Sequence, residues 1–242
     1  MSRLSARYKE SSNNLTSPGS GNLRVNVGCG ATPTDGWINF DNSLTVRLAR
    51  WLLIARRVVG RRGLAGPSWE FAKVAAEKDI RFANATRRIP CADNSVEVVY
   101  SSHMIEHLDR REAQEFLLEV KRILQPGGIL RLAAPDISRL VNGYLATGDA
   151  DKFVTSTNMS LAKSADTLSR VRLALIGPRH HLWMYDGRSL DKLLRDAGFT
   201  AVSIMPPGKT NITDPGGLHL EERAEESVYV EAVRGPRISG SR

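Results

Sequence analysis

Leu23, Val25 and Val27 alternate with polar neighbours, and the run then stops at Gly28-Cys29-Gly30. This is the pattern of a strand that feeds a tight turn. The same periodicity predicts further strands over residues 37–41, 80–85, 96–100, 129–133, 200–205 and 227–233. Asp109, with Glu112 three residues on, reads as a capping box. Ala113, Phe116, Leu117, Val120 and Leu124 then form the apolar stripe of a helix stopped by Pro126-Gly127-Gly128. A second helix spans 189–197 and is closed by Gly198. Residues 44–62 read as an amphipathic helix, with Leu48, Leu52, Ala55 and Val59 on one side and Arg47, Arg50, Arg57 and Arg61 on the other. Residues 137–180 lack strand signals and are expected to be helices packed over the sheet edge. Residues 206–226, rich in Gly and Pro, read as a long loop, and residues 1–21 and 235–242 as mobile tails.

Composition changes this picture only a little. A chain of 242 residues with 41% hydrophobic side chains can bury one sizeable core. It reads as one domain over 22–234, with helical cap insertions at 44–78 and 137–180. No run of eighteen apolar residues suggests a membrane span, and the polar first 21 residues do not resemble a signal peptide. Two cysteines, Cys29 and Cys91, give no disulfide framework and suit a reducing cytoplasm. The net charge of +8 invites nucleic acid as a partner. That charge, however, is concentrated in Arg47, Arg50, Arg56, Arg57, Arg61 and Arg62, and general basicity is poor evidence for a partner. The basic helix therefore has three readings: a cap with a solvated face, a helix lying on a membrane surface, or a contact for an anionic ligand.

The glycine turn carries the first chemical signal. A dinucleotide fingerprint would place a third glycine at position 33, where this chain has Pro33, and the Gly-Lys-Ser/Thr of a P-loop is missing. The turn is thus built for close approach to something other than a pyrophosphate. Asp41 ends the second strand thirteen residues after Gly28, against about 20 in a standard dinucleotide unit, so the intervening helix is reduced to a loop. An acid at that tip can accept hydrogen bonds from vicinal ribose hydroxyls; its other reading is a helix cap. Asn84, near the tip of the third strand, could read the edge of an adenine.

Several stretches, in this order, resemble class I S-adenosylmethionine-dependent methyltransferases. They are Asn26 to Gly30, Gly36 to Asp41, Asp93 to Leu108, Leu118 to Gly128, and Trp183-Met184-Tyr185 with its following helix. The resemblance implies an α/β, Rossmann-like, doubly wound sheet of seven strands in the order 3-2-1-4-5-7-6, with strand seven antiparallel. It implies S-adenosylmethionine as cofactor and S-adenosylhomocysteine as product. Carried over by position, Gly28, Cys29 and Gly30 would line the methionine and ribose. Asp41, with Asn42 beside it, would hold the ribose hydroxyls. Asn84 and Ala85 would flank the adenine, and Ser101, Ser102 and His103 would approach the methionine end. Asn26 stands where an acid is commoner in the family, which bears on how the methionine ammonium is held.

Methyl transfer from a sulfonium asks mainly for in-line positioning, and an alcohol acceptor also needs a base. His103, Glu106, His107, His180 and His181 are the candidates, with His103 and then His181 preferred as catalytic groups. His103 and His107 are spaced for a metal, but the zincin pattern needs glutamate after the first histidine and Met104 stands there, so no metal is expected. Glu106 and His107 read as helix-start residues that pack locally, and Trp183 and Tyr185 as core or lid packing. The sequence thus points to an enzyme methylating a small acceptor, most simply a hydroxyl of a sugar or glycan. A lipid-linked or natural-product acceptor at a membrane surface, met through the Arg47–Arg62 helix, is the second enzyme reading. An RNA-binding protein or RNA methyltransferase is the alternative from another class. Against it, strand four ends in Ser101-Ser102-His103, where amino-methylating nucleic-acid enzymes carry Asn/Asp-Pro-Pro-aromatic.

Overall fold

A computed structural model describes residues 23–48, 67–159 and 180–236. The predicted tail 1–21, residues 49–66 with Arg50, Arg56, Arg57, Arg61 and Arg62, the second half of the 137–180 cap and residues 237–242 lie outside the described residues. Seven strands form one sheet: β1 (Leu23–Val27), β2 (Ile38–Asp41), β3 (Arg81–Phe82), β4 (Val96–Ser102), β5 (Leu124–Pro135), β6 (Phe199–Met205) and β7 (Ser227–Arg234). Their order is β3-β2-β1-β4-β5-β7-β6. β3, β2, β1, β4 and β5 run parallel, and β7 is antiparallel to both β5 and β6. This is the predicted topology.

The helices are α1 (Pro67–Glu77), α2 (Arg110–Ile123), α3 (Ile137–Thr147), α4 (Ala150–Ser156) and α5 (Gly187–Asp196). α2 begins at the predicted box: the Asp109 side chain accepts from the Glu112 amide, and the Glu112 carboxylate accepts from the Asp109 amide. Asp186 and Ser189 make the same reciprocal cap at α5. Residues 44–48 are also helical, so the basic stretch starts as expected. Among the described residues no helix is long and apolar enough to cross a membrane.

Three boundaries differ from expectation. Trp37 belongs to the turn before β2. β3 is only two residues long, because Asn84 folds back on Thr86, its Oδ1 accepting from that residue's amide at 3.1 Å and hydroxyl at 2.8 Å. Leu124 leaves the stripe of α2 and opens β5 instead, pairing with Val96; its backbone has already turned extended.

The two faces of the sheet are covered differently. On one, Val25, Val27, Val99, Leu130 and Leu132 pack against Phe116, Leu117 and Val120 of α2 and Leu190, Leu193 and Leu194 of α5. On the other, residues 206–226 form the second layer without helix or strand. Ile212 and Leu218 of this segment pack with Trp37, Val98 and Tyr100. It is also pinned electrostatically. Arg131 on β5 and Glu231 opposite it on β7 are fully buried and 2.7 Å apart. Arg131 donates to the carbonyls of Lys209 and Leu220, and Glu231 accepts from the Thr210 hydroxyl and the Asn211 amide.

A buried pair that has lost one member leaves an uncompensated charge. Glu231→Ala is therefore expected to cost about 3–5 kcal/mol of stability in urea unfolding, and Arg131→Met with Glu231→Leu to recover most of that loss. A loss under about 1 kcal/mol in the single variant would show that the pair does not pin the layer.

Candidate active site

The carboxyl ends of β1, β2, β4 and β5 lie along one edge of the sheet, together with the start of β7, since Pro135 pairs with Ser227. The predicted cofactor residues gather there. Gly28 and Cys29 donate their amides to the Phe40 carbonyl at 2.8 and 3.1 Å, folding the β1 turn onto β2. The Gly30 amide donates to Asp41 Oδ2 at 3.1 Å. Gly28 and Gly30 both have positive φ, +72° and +51°, where a side chain is strained. Their surroundings differ. A Cβ at Gly28 would come within 2.5 Å of Met104 Cγ, so Met104 packs closely over that position. A Cβ at Gly30 would meet nothing within 4 Å, which leaves its backbone open.

Asn26 is buried in β1 and its amide donates to Thr34 Oγ1 at 3.0 Å. Asn39, which sequence reasoning passed over, accepts from the Thr34 amide and donates to the carbonyls of Thr34 and Trp37. Both asparagines thus shape the loop. Asp41 serves the structure as well, since Oδ1 accepts from the Ser43 amide at 2.8 Å just ahead of helical residues 44–48. Each carboxylate oxygen has a second lone pair for a ligand. Asn42 is exposed beside it. Asn84 has committed its oxygen to Thr86, so its amide nitrogen is the end left for an adenine. Ala85 is in the core and can offer only backbone. Ser101 is buried and its hydroxyl has no partner, the kind of loose end a bound ligand satisfies. Ser102 ends β4.

Burial raises the Cys29 thiol to about 12, with the negative charge of Asp41 adding to the effect. Cys91 is raised by burial to about 11. Neither is a thiolate nucleophile near neutral pH.

Beyond β4 the chain turns at His103, whose φ of +48° is rare for a side-chain-bearing residue. Its amide still donates to the Ala133 carbonyl at 2.9 Å. The ring is held on both sides. The Ser227 hydroxyl donates to the Glu222 carbonyl at 3.3 Å, so it accepts from His103 Nε2 at 2.9 Å. Nδ1 then keeps its lone pair and accepts from Arg223 Nη1 at 3.3 Å.

Glu106 lies at the centre. It sits in a single 3-10 turn, Ile105–His107, and is 1% exposed, and neither carboxylate oxygen accepts a hydrogen bond from the described residues. His103 Nδ1 lies 3.4 Å and His181 Nε2 4.0 Å from its Oε1. The two preferred catalytic histidines, 78 positions apart in sequence, therefore flank one carboxylate. The Leu182 and Trp183 amides donate to the Glu106 carbonyl at 2.7 and 3.1 Å, which brings His181 there. Burial lowers the His181 pKa against the pull of Glu106. His107 Nδ1 donates to the His180 carbonyl at 3.1 Å, and its ring meets that of His181 edge-on with centroids 5.2 Å apart. Donor atoms of Glu106, His107 and His181 all lie within 4.8 Å of one another, a grouping that could hold a metal ion. Sequence reading treated Glu106 and His107 as local packing. The one sequence trace of this grouping is the placing of Glu106 three residues after His103. Tyr185 is core as expected, whereas Trp183 is 43% exposed beneath the Arg110 guanidinium.

Residues 48–132, a little over a third of the chain, match a family described as methyltransferase domain. Among curated proteins none matches. Three solved structures illustrate the likeness of shape. A SAM-dependent methyltransferase of Thermotoga maritima, described as a possible histamine N-methyltransferase, is 15% identical with a TM-score of 0.45, over 90% of this chain and 84% of that one. A SAM-dependent methyltransferase of Methanosarcina mazei is 15% identical with a TM-score of 0.46, over 88% and 92%. Haemonchus contortus phosphoethanolamine N-methyltransferase 2, in complex with phosphomonomethylethanolamine and S-adenosylhomocysteine, is 13% identical with a TM-score of 0.43, over 90% of this chain and 49% of that one. At such scores the fold assignment rests on the sheet itself. Strand order and matched segment agree: the seven-stranded sheet has the order 3-2-1-4-5-7-6, and residues 48–132 are similar to the methyltransferase domain family.

Both cysteines are free and buried. Iodoacetamide at pH 7.5 is accordingly expected to label neither Cys29 nor Cys91 in the folded protein and both in urea. Stoichiometric labelling of the native protein by mass spectrometry would contradict the burial described above.

Proposed function

We propose that this protein transfers a methyl group from S-adenosylmethionine to a hydroxyl of a small acceptor, of sugar or glycan kind, with His103 as the general base. One observation carries the reading. The open backbone at Gly30, tied to Asp41, and the His103–Glu106–His181 cluster meet at the same sheet edge, with Met104 packed between them against Gly28.

The residues present suit the cofactor. Asp41 would accept from the ribose hydroxyls, Gly28 to Gly30 would line the chain between ribose and methionine, and Ser101, Ser102 and His103 would face the methionine end. Asn26 would act through the loop it ties down, and Asn42, Asn84 and Ala85 would border the nucleoside. The cofactor supplies an electrophilic methyl group on a positively charged sulfur. The protein's part is to align the acceptor and take its proton. As the acceptor oxygen bonds to the methyl carbon and the carbon–sulfur bond breaks, the hydroxyl proton passes to Nδ1 of His103, where the acceptor would replace the exposed Arg223 guanidinium as hydrogen-bond donor. The Glu106 carboxylate lies 3.4 Å from that nitrogen and borders the acceptor's place. His181 completes the wall of the cluster. The two unpaired cysteines support a reducing compartment such as the cytoplasm.

Asp41→Ala is expected to weaken S-adenosylmethionine binding by about 1–3 kcal/mol in titration calorimetry, the range for losing a charged hydrogen-bond partner; unchanged affinity would remove Asp41 from the cofactor site. His103→Ala is expected to keep cofactor affinity and to lower turnover by about 100-fold or more. The assay is transfer of radiolabelled methyl across a panel of sugar, lipid-linked and RNA acceptors. Equal turnover in that variant, or labelling confined to RNA, would overturn the proposal.

A further inference from the structure

We infer that Glu106, His107 and His181 form a site for a divalent transition-metal ion, held by one carboxylate oxygen and two imidazole nitrogens. The site shares Glu106 and His181 with the cluster of the methyl-transfer reading, but its test reads metal content and affinity, so the two fail separately.

The argument begins with an unmet electrostatic need. A carboxylate that is 1% exposed and accepts no hydrogen bond is costly unless a cation or a proton donor compensates it. The neighbouring imidazoles are poorly set to be that donor. His103 Nδ1 accepts from Arg223, so it turns a lone pair, not a proton, toward Glu106. His107 spends its Nδ1 proton on the His180 carbonyl, which fixes the tautomer and leaves the Nε2 lone pair exposed to a ligand. A backbone carbonyl behind a histidine is the usual outer support of a metal-binding imidazole. His181 Nε2 lies 4.0 Å from Glu106 Oε1, and an imidazole nitrogen offers one lone pair to a metal. Among the described residues, electron pairs thus gather around Glu106, and the nearby Arg223 guanidinium is engaged by His103 and Glu226.

Its dimensions suit an ion. Ligands about 2.1 Å from a tetrahedral metal ion lie about 3.4 Å apart; the donor atoms here lie within 4.8 Å of one another, so side-chain shifts of about an ångström close the set. Two nitrogens with one oxygen suit zinc, manganese, iron or cobalt better than magnesium, which prefers oxygen alone. Three protein ligands also leave positions open for an exogenous oxygen. The backbone is already committed to this arrangement, since the Leu182 and Trp183 amides on the Glu106 carbonyl, and the His181 amide on the Asn158 carbonyl, hold His181 in place. The pair that sequence spacing suggested, His103 with His107, is not the ligand pair: His103 is engaged by Ser227 and Arg223.

The test uses the full chain without a histidine tag, stripped of metal by a chelator and titrated with zinc and with manganese chloride. One equivalent of zinc is expected to bind with a dissociation constant in the micromolar range or tighter. Glu106→Gln and His181→Asn should each weaken it by about tenfold or more, while His103→Asn should change it less than threefold. Cobalt binding to the wild-type protein should give visible bands, and crystals soaked in zinc should show an anomalous peak between the three side chains. These wild-type measurements decide the matter even if a variant does not fold. No saturable binding, an anomalous peak elsewhere, or equal affinity in Glu106→Gln and His181→Asn would overturn the inference.

Discussion

Parallel neighbours in a sheet need a crossover, ordinarily a dozen or more residues that include a helix. Here ten residues separate Val27 from Ile38, and no helix forms among them. Everything at the cofactor edge depends on how so short a connection is closed. It is closed by small polar groups working at short range: Asn26 to Thr34, Thr34 to Asn39, and Asn39 back to the carbonyls of Thr34 and Trp37. Two buried asparagines take over the loop's backbone groups, which would otherwise be stranded without the ladder of a helix. The connection is thereby drawn flat against the sheet, which buries Cys29 and leaves Gly30 facing open space.

A comparable economy governs the opposite face. A coil of about twenty residues replaces the helical layer, and a coil brings many backbone polar groups that must be satisfied. Arg131 and Glu231 answer this need from within the sheet, their charges met by each other and by the coil's own carbonyls, hydroxyl and amide. The same coil ends at Glu222, Arg223 and Ser227, the residues that hold Tyr100, the His103 ring and one another. Covering the sheet and aiming His103 are therefore one structural task. The left-handed backbone of His103 stays in place because Ala133 holds its amide while Ser227 holds its ring.

Regular features were legible in the sequence because they rest on local patterns. Alternation marked β1, the Asp109–Glu112 spacing marked the start of α2, and the ordered motifs carried the strand order. Legibility failed where contacts span long stretches of chain. Residues 206–226 looked like an ordinary loop because their partners, Arg24, Val98 and Arg131, are far away in sequence. β3 came out shorter because a side chain, Asn84, outcompeted the ladder for its local donors. Glu106 does sit at the start of a helical turn as expected, but its enclosure was illegible for a related reason. A glutamate at the start of a helical turn is normally solvated, and only the return of residues 180–183, more than seventy positions later, encloses it.

That enclosure separates two roles of one residue. The Glu106 carbonyl accepts the Leu182 and Trp183 amides and so fastens the late segment to the end of β4. The Glu106 carboxylate makes no hydrogen bond and faces His103 and His181. Anchoring thus belongs to the backbone, which substitution leaves in place, while the side chain faces the two imidazoles. A purely structural glutamate would be expected to cover its charge with amides, as Glu119 does by accepting from the Ile89 amide and from Arg122. Both acids are buried, yet only Glu119 is neutralised by its own surroundings. The carboxylate left without partners stands at the carboxyl edge of the sheet, where α/β folds place their ligands.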